Sequence, residues 1–174
     1  PNVVDFKKAV QVGFNTMIAH CSAVKEFRKL NIKNGKIGIV LNLTPSYPRS
    51  SNPADLKAAN IADLLCNRSF LDPAVKGEYP EGLVELLKEN DLLPNVEKGD
   101  KELIANNKVD FLGVNYYQPR RVKAKEYMPN PNSPIMPENF FDNYEMPGRK
   151  MNVYRGWEIY AKGIYDIMIN LKNN

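Results

Sequence analysis

The chain has 174 residues, of which 43% are hydrophobic and 25% charged, so it is long enough for a globular domain with a buried core. Its net charge of +4 comes without a long lysine or arginine run, which argues against a nucleic-acid-binding protein. No apolar run approaches the ~20 residues of a membrane-spanning helix and no signal-peptide pattern is present, so a membrane is not an expected partner either.

A long helix is predicted over residues 5–30, with Asp5 at its N-cap. Its apolar residues recur at alternating spacings of four and three, which places them on one stripe. They are Phe6, Val10, Phe14, Met17, Cys21, Val24 and Phe27. His20, the only histidine, falls in this helix and is predicted to serve in packing rather than in a metal site or a catalytic triad. Asn34-Gly35 then predicts a turn.

Two stretches predict buried strands, residues 36–45 and 109–117. In the first, apolar and polar residues do not alternate, which is typical of a parallel sheet with both faces buried. Pro45 and Pro48 are expected to end it. The second is an apolar run that ends abruptly in polar side chains, as strands do when they deliver functional groups at their carboxyl ends. These side chains are Asn115, Tyr116 and Tyr117.

Helices are predicted between these strands over residues 52–70, 81–90 and 100–105. Asn52 is placed to cap the first of them, and Leu71-Asp72-Pro73 is expected to break it.

Residues 119–153 are predicted as a long loop with little periodicity, and such loops are often functional. Residues 156–160 lead into a last helix, over about 162–171, with an apolar stripe of Ile164, Ile167, Met168 and Leu171. The alternation of helices and strands predicts an α/β fold with a parallel sheet. Two strands with open edges cannot bury the faces that their sequence predicts to be buried, so we expect part of a larger domain.

Cys21 and Cys66 are far apart in predicted helices. We expect two free thiols in a reducing cytosol, and hence a cytoplasmic protein, rather than a disulfide.

Five ordered stretches resemble one known family. They are Ile18–Val24, Lys36–Val40, Phe70–Pro73 with Gly77–Pro80, Asp110–Tyr117 and Gly156–Tyr160. Together they resemble glycoside hydrolase family 1, the retaining β-glycosidases built on a (β/α)8 TIM barrel. The resemblance implies that residues 1–174 are an internal segment of a single barrel domain, about strands five and six with flanking helices, missing strands one to four, seven and eight. It implies no metal and no organic cofactor.

Within the family, three stretches resemble the bacterial 6-phospho-β-glucosidases: Tyr116–Val122, Asn139–Asp142 and Glu145–Asn152. The implied substrates of the whole enzyme are β-glucoside 6-phosphates such as cellobiose 6-phosphate. Unphosphorylated β-glucosidases and 6-phospho-β-galactosidases of the same family are the alternatives.

The resemblance also implies roles for residues at the strand ends. Tyr117 matches the tyrosine whose hydroxyl donates to the nucleophilic carboxylate, and Asn115 matches an asparagine that lines the cleft. Trp157, the only tryptophan, matches the residue that stacks on the departing sugar or aryl ring. Asn42 and Thr44, at the end of the first strand, are expected to face the cleft mouth. Tyr116 should point the other way, into packing.

Retaining hydrolysis needs two carboxylates, and neither family motif that carries them is present in the chain. The sequence contains neither Asn-Glu-Pro nor Thr/Ser-Glu-Asn-Gly, and Glu158 lies at a loop-to-helix junction where neither motif falls. No catalytic glutamate is therefore assigned, and the 174 residues alone are predicted to be inactive.

A basic cluster, Arg120, Arg121, Lys123 and Lys125, could attract an anionic sugar phosphate, but we expect it to be a solvated loop. From a different class, a non-catalytic carbohydrate-binding module would need terminal elements that cover both sheet edges, and none is predicted. A doubly wound nucleotide-binding domain is disfavoured because residues 42–50 contain no glycine for a phosphate-binding turn.

Overall fold

The structure, a computed structural model, describes residues 5–127, 130 and 133–173. In chain order the helices and strands are α1 (Phe6–Lys29), β1 (Gly38–Asn42), β2 (Ser46–Pro48), α2 (Pro53–Asp63), a π-helical turn (Leu64–Arg68), α3 (Ser69–Val75), α4 (Glu81–Glu89), α5 (Asp100–Asn106), β3 (Phe111–Asn115), β4 (Arg120–Lys123), a 3-10 turn (Pro137–Asn139), β5 (Asp142–Asn143), β6 (Met151–Asn152), β7 (Trp157–Glu158) and α6 (Lys162–Asn173). No helix in these ranges has the length and apolar character needed to cross a membrane.

The prediction of α1 is confirmed. Asp5 caps it, since its Oδ1 accepts a hydrogen bond from the backbone N–H of Lys8 at 3.0 Å. The middle of the apolar stripe is buried, at Phe14, Met17, Cys21 and Val24. Helical spacing alone therefore defines which face of α1 meets the core.

β1 and β3 form a two-stranded sheet. At one end the Asp110 N–H donates to the Ile37 carbonyl at 2.8 Å, and at the other the Leu43 N–H donates to the Asn115 carbonyl at 3.0 Å. From the first bond to the second, the residue numbers of both strands increase, from 37 to 43 and from 110 to 115. The strands are therefore parallel, as predicted.

The prediction that both faces of these strands are buried is wrong within this chain. Val40 of β1 is 62% exposed and Phe111 of β3 is 53% exposed. An apolar run of this kind suits a strand inside a larger sheet with covering layers on both faces.

α2 begins where predicted, because the Asn52 Oδ1 accepts from the Ala54 N–H at 2.9 Å. The predicted break at residues 71–73 is wrong: the helix continues through the π-helical turn into α3. Pro73 lies inside α3, where it has no N–H to donate to the carbonyl of Ser69.

The described residues form two compact units. The first comprises the described residues of the ranges Pro1–Leu41 and Arg68–Gly113, and the second comprises those of the ranges Asn42–Asn67 and Val114–Asn174. The first unit has a core in which the stripe of α1 packs with Ala74 of α3 and Ile104 of α5. The predicted helices α4 and α5 are confirmed, and α4 buries Leu83 and Leu87.

Part of the predicted loop at residues 119–153 is β-structure. In the second unit β2 pairs in parallel with β4, and β4 pairs antiparallel with β5. Pro48 lies in β2, at the edge of this sheet, where a missing N–H is tolerated; it does not simply end β1. Residues 128–129 and 131–132 of the predicted loop lie outside the described residues.

α6 confirms the last predicted helix, with one difference. Its buried positions are Gly163 and Ile167, four residues apart, whereas Met168 is 45% exposed. Met168 therefore lies at the edge of the apolar stripe rather than in it.

We expect Gly163→Ala to destabilise the protein by about 1–3 kcal/mol, against the usual helix-stabilising effect of this change. A Cβ at Gly163 would overlap the hydroxyl oxygen and Cζ of Tyr116, so the ring would have to move. Gly13→Ala is the matched control, because a Cβ there meets Phe70 Cζ at an ordinary 3.6 Å. Urea unfolding should show the control stabilised by up to about 1 kcal/mol. Equal shifts for both variants would contradict the packing argument.

Asp55, in the first turn of α2, connects three parts of the second unit. It is 1% exposed. Its Oδ2 accepts from Ser50 Oγ at 2.7 Å and from Arg49 Nε at 3.2 Å, and its Oδ1 accepts from the Ala124 N–H at 2.8 Å. The backbone bond from Ala124, followed by the Ser50 hydroxyl, lowers the pKa of Asp55 below its ordinary value.

A carboxylate with a lowered folded-state pKa stabilises the fold above its unfolded-state pKa. That contribution is lost as the pH falls through the folded-state pKa. We therefore expect Asp55→Asn to lower the unfolding midpoint at pH 7 and to flatten its fall below about pH 4. Asp91→Asn is the control, since the side chain of Asp91 is 97% exposed. If the unfolding midpoint of the Asp55→Asn variant fell below about pH 4 as steeply as that of the unchanged protein, Asp55 would not be the source of this pH dependence.

Candidate functional site

Two asparagines predicted as substrate-binding lie at the carboxyl ends of adjacent parallel strands. Asn42 ends β1 and Asn115 ends β3, and both are exposed. The bond from the Leu43 N–H to the Asn115 carbonyl joins the two strand ends. Exposed amides at this edge can donate to and accept from sugar hydroxyls.

Thr44, expected at the cleft mouth, is held through its backbone by Asn67. The Thr44 N–H donates to Asn67 Oδ1 at 3.1 Å, and Asn67 Nδ2 donates to the Thr44 carbonyl at 2.9 Å. Asn67 is 6% exposed and lies in the π-helical turn. The pair fixes the backbone just after Asn42, and sequence analysis did not single out Asn67.

Tyr117 and Trp157, the two aromatic residues assigned by resemblance, are in contact. Their ring centroids lie 5.3 Å apart with the planes tilted by 54°. Tyr117 is 55% exposed, and its hydroxyl makes no hydrogen bond within the described part of the chain. An open hydroxyl beside an indole can bind a polar group and a ring at the same place.

Tyr116 points away from this pair, as predicted. Its hydroxyl donates to the Tyr160 carbonyl at 2.7 Å and lies against Gly163. Burial raises its pKa to about 12. The alternation of side chains along β3 thus separates a packing tyrosine from an exposed one.

Trp157 lies in a β-hairpin rather than in a simple lead into the last helix. β6 and β7 pair antiparallel, with Met151 opposite Glu158 and Asn152 opposite Trp157. The Arg155 guanidinium carbon lies 5.6 Å from the centroid of the indole. The hairpin therefore presents the indole with a cation near its ring.

Glu158 is not free to act as a catalytic acid. Arg121 Nε lies 2.8 Å from Oε2 and 3.1 Å from Oε1, and Arg121 Nη2 lies 2.6 Å from Oε1. The two side chains are only 11% and 8% exposed. With its carboxylate bound to Arg121, Glu158 serves as a structural ion-pair partner.

The expected solvated basic loop is wrong for three of its four members. Arg121 pairs with Glu158, Lys123 pairs with Glu126 at 2.7 Å, and Lys125 pairs with Asp142 at 2.6 Å. Arg120 has a buried Nη1 without a partner among the described atoms. Glu126, nearby in sequence, and Asp142 and Glu158, distant in sequence, neutralise these three cations, which weakens the case for the cluster as an attractor of phosphate.

His20 lies in α1, as predicted. Burial lowers the pKa of its imidazole, and its Nε2 is buried without a hydrogen-bond partner in the ranges described. Across residues 5–127, 130 and 133–173, no three His, Cys, Asp or Glu side chains converge in a way that could hold a metal ion.

Both cysteines are free thiols, as expected. Cys21 is buried in the core of the first unit and Cys66 is half-buried in the second. Burial raises the pKa of both thiols, so they are weak nucleophiles.

Comparison with known proteins assigns the family. The profile described as Glycosyl hydrolase family 1 matches residues 1–174, and the chain belongs to this family. It is 62% identical over 174 residues to 6-phospho-beta-glucosidase GmuD of Bacillus subtilis, covering 100% of this chain and 37% of that protein. It is 34% identical to Beta-glucosidase A of Acetivibrio thermocellus, over 98% of this chain and 36% of that protein. It is 31% identical to 6-phospho-beta-galactosidase of Clostridium acetobutylicum, over 97% of this chain and 38% of that protein.

Solved structures agree. The family 1 β-glucosidase of Thermotoga maritima matches with a TM-score of 0.79 and 33% identity, over 100% of this chain and 36% of that one. A second match is the virulence factor SghA of Agrobacterium tumefaciens in complex with its substrate analog salicin. Its TM-score is 0.80 and its identity 29%, over 99% of this chain and 36% of that one. The fold is thus part of a (β/α)8 barrel, as the resemblance implied.

The chain spans a little over a third of the length of the curated relatives it matches. The number of each strand within the barrel and the roles of the site residues stay predictions.

Proposed function

We propose that this chain is an internal segment of the barrel domain of a retaining 6-phospho-β-glucosidase, about strands five and six. The observation that carries the proposal is the contrast in identity across the whole chain. Identity is 62% to the 6-phospho-β-glucosidase but 34% to a β-glucosidase and 31% to a 6-phospho-β-galactosidase. The substrates proposed for the whole enzyme are β-glucoside 6-phosphates such as cellobiose 6-phosphate.

Within that enzyme the segment supplies binding groups rather than the reacting carboxylates. Trp157 stacks on the departing sugar or aryl ring, and Asn42 and Asn115 line the cleft. Tyr117 donates its hydroxyl to the nucleophilic carboxylate, which keeps that group ionised and oriented. The exposed ring of Tyr117 and the half-buried ring of Trp157, with centroids 5.3 Å apart, support this arrangement.

The two catalytic glutamates lie outside residues 1–174 in this proposal. One protonates the leaving oxygen while the other attacks the anomeric carbon, and water then releases the sugar from the glycosyl-enzyme. Two free thiols support a cytoplasmic location for the whole enzyme, here called the parent enzyme. Its other barrel strands are the proposed structural partner of this segment.

The test is nitrophenol release from three substrates by the parent enzyme and by the 174-residue chain alone. The substrates are nitrophenyl β-glucoside 6-phosphate, the unphosphorylated glucoside and the galactoside 6-phosphate. We expect the parent enzyme to act on the first and the chain alone to act on none. Release from either other substrate alone would keep the family but reject the substrate. A parent enzyme that binds β-glucosides without turnover would favour a carbohydrate-binding module.

A further inference from the structure

Trp157 stands on a strand that is too short to fix its side chain. β7 contains two residues, and two residue pairs join it to β6. Isolated two-stranded hairpins are marginal in water even when they are longer. Other contacts must therefore hold the strand in place.

Glu158, the neighbour of Trp157, supplies two such contacts. Its N–H donates to Gln118 Oε1 at 3.3 Å, and its carboxylate receives three hydrogen bonds from Arg121. Gln118 and Arg121 follow Tyr117 in the chain. The residue after Trp157 is thus tied to the residues after Tyr117, through backbone and side chain together.

Arg121 is itself held in one orientation. Its guanidinium carbon lies 4.9 Å from the ring centroid of Tyr160 and 5.4 Å from that of Tyr47. The Tyr47 hydroxyl in turn donates to Asp166 Oδ2 at 2.5 Å. Two aromatic rings around a guanidinium fix the plane of its hydrogen-bonding fork.

We propose that Arg121 and Glu158 are positioning residues that set the angle of the Trp157 indole for aglycone binding. Successive residues of a strand point to opposite faces, so drawing the Glu158 carboxylate inward turns the indole outward, toward Tyr117. A bidentate pair fixes direction as well as distance, which an apolar pair of equal volume does not. The inference rests on the proposed function and deepens it, by naming what selects the aglycone.

The test compares two substrates of the parent enzyme, phenyl and methyl β-glucoside 6-phosphate, because a methyl group is too small to stack on an indole. Release of glucose 6-phosphate gives kcat/KM for each. We expect Glu158→Gln and Arg121→Lys to lower kcat/KM for the phenyl substrate about fivefold, chiefly through KM, since an aromatic contact contributes an effect of this order. The methyl substrate should change by less than about twofold.

A double-mutant cycle separates positioning from general stability. Trp157→Ala should lower the phenyl-to-methyl ratio, and adding Glu158→Gln to it should lower the ratio no further. Asp142→Asn removes a partly buried ion pair of the same unit and should leave the ratio unchanged. Equal losses on both substrates, or additive losses in the double variant, would overturn the inference.

The phenyl-to-methyl ratio of kcat/KM compares two substrates that carry the same sugar, with or without a phosphate. The proposed substrate of the parent enzyme and the positioning role of Arg121 and Glu158 can therefore be rejected separately. A parent enzyme that acts only on unphosphorylated glucosides would reject the proposed substrate, and the same variants would then be compared on phenyl and methyl glucoside. With no turnover of either series, calorimetric affinities for the phenyl and methyl ligands replace the kinetic constants. The same pattern across the variants would support the inference, and its absence would overturn it.

Discussion

Replacing Tyr117 with phenylalanine should lower the kcat of the parent enzyme by about 100-fold, the usual effect of removing one preorganised hydrogen-bond donor at a reacting group. The hydroxyl is exposed beside Trp157 and has no partner within the described residues, so it is available to a carboxylate elsewhere in the barrel. Losing that donor should also raise the pKa of the nucleophile, which would shift the acid limb of the kcat profile to higher pH. The measurement is a pH–rate profile with nitrophenyl β-glucoside 6-phosphate.

The adjacent tyrosine provides the control. Tyr116→Phe removes the hydrogen bond to the Tyr160 carbonyl and should cost about 0.5–1.5 kcal/mol of stability with little change in kcat. The two variants lose the same atom from neighbouring residues on opposite faces of one strand. A loss of kcat that is equal in both would disprove the assignment of the catalytic hydroxyl to Tyr117.

The second large effect is on stability. Glu158→Leu should cost about 3–5 kcal/mol in the free energy of unfolding, because it leaves the Arg121 guanidinium without its carboxylate in a nearly buried place. Stacking on Tyr47 and Tyr160 keeps the cation there instead of letting it reach water. Urea unfolding of the parent enzyme measures the difference.

The double variant Arg121→Met/Glu158→Leu is the informative comparison. Replacing both members of a buried ion pair by apolar residues is often neutral or stabilising, so we expect it to recover most of the lost stability. A double variant as unstable as the single one would show that the pair contributes net stability. The kinetic ratio of phenyl to methyl substrate should stay low in the double variant even when stability returns.

Periodic features of this chain were predictable from sequence because they depend on local geometry. The stripe of α1, the cap at Asn52 and the opposite directions of Tyr116 and Tyr117 follow from fixed helical and strand periods. The pairing of Tyr117 with Trp157 was not predictable in this way, since 40 residues separate them (157 − 117). The family resemblance placed both residues in one cleft.

The polar contacts of the site were missed for a different reason. Arg121 and Glu158 are 37 residues apart, and a charged residue shows no periodicity that identifies its partner. Asn67 reaches Thr44 from a π-helical turn, and an apolar stripe does not reveal such a turn. In the sequence, Asp55 is one acidic residue in the first turn of a helix, a common and usually exposed position. In the structure its carboxylate accepts hydrogen bonds from three residues.

The hairpin between β6 and β7 is fixed at its base and open at its tip. Val153 and Tyr154 are 82% and 95% exposed, and nothing lies within 4 Å of a Cβ built at Gly156. Substitutions of Val153 and Tyr154 therefore carry little structural cost, whereas Gly156 has a φ of +66° that favours glycine. Related chains can therefore differ at Val153 and Tyr154 while the contacts of Glu158 at the base of the hairpin stay the same.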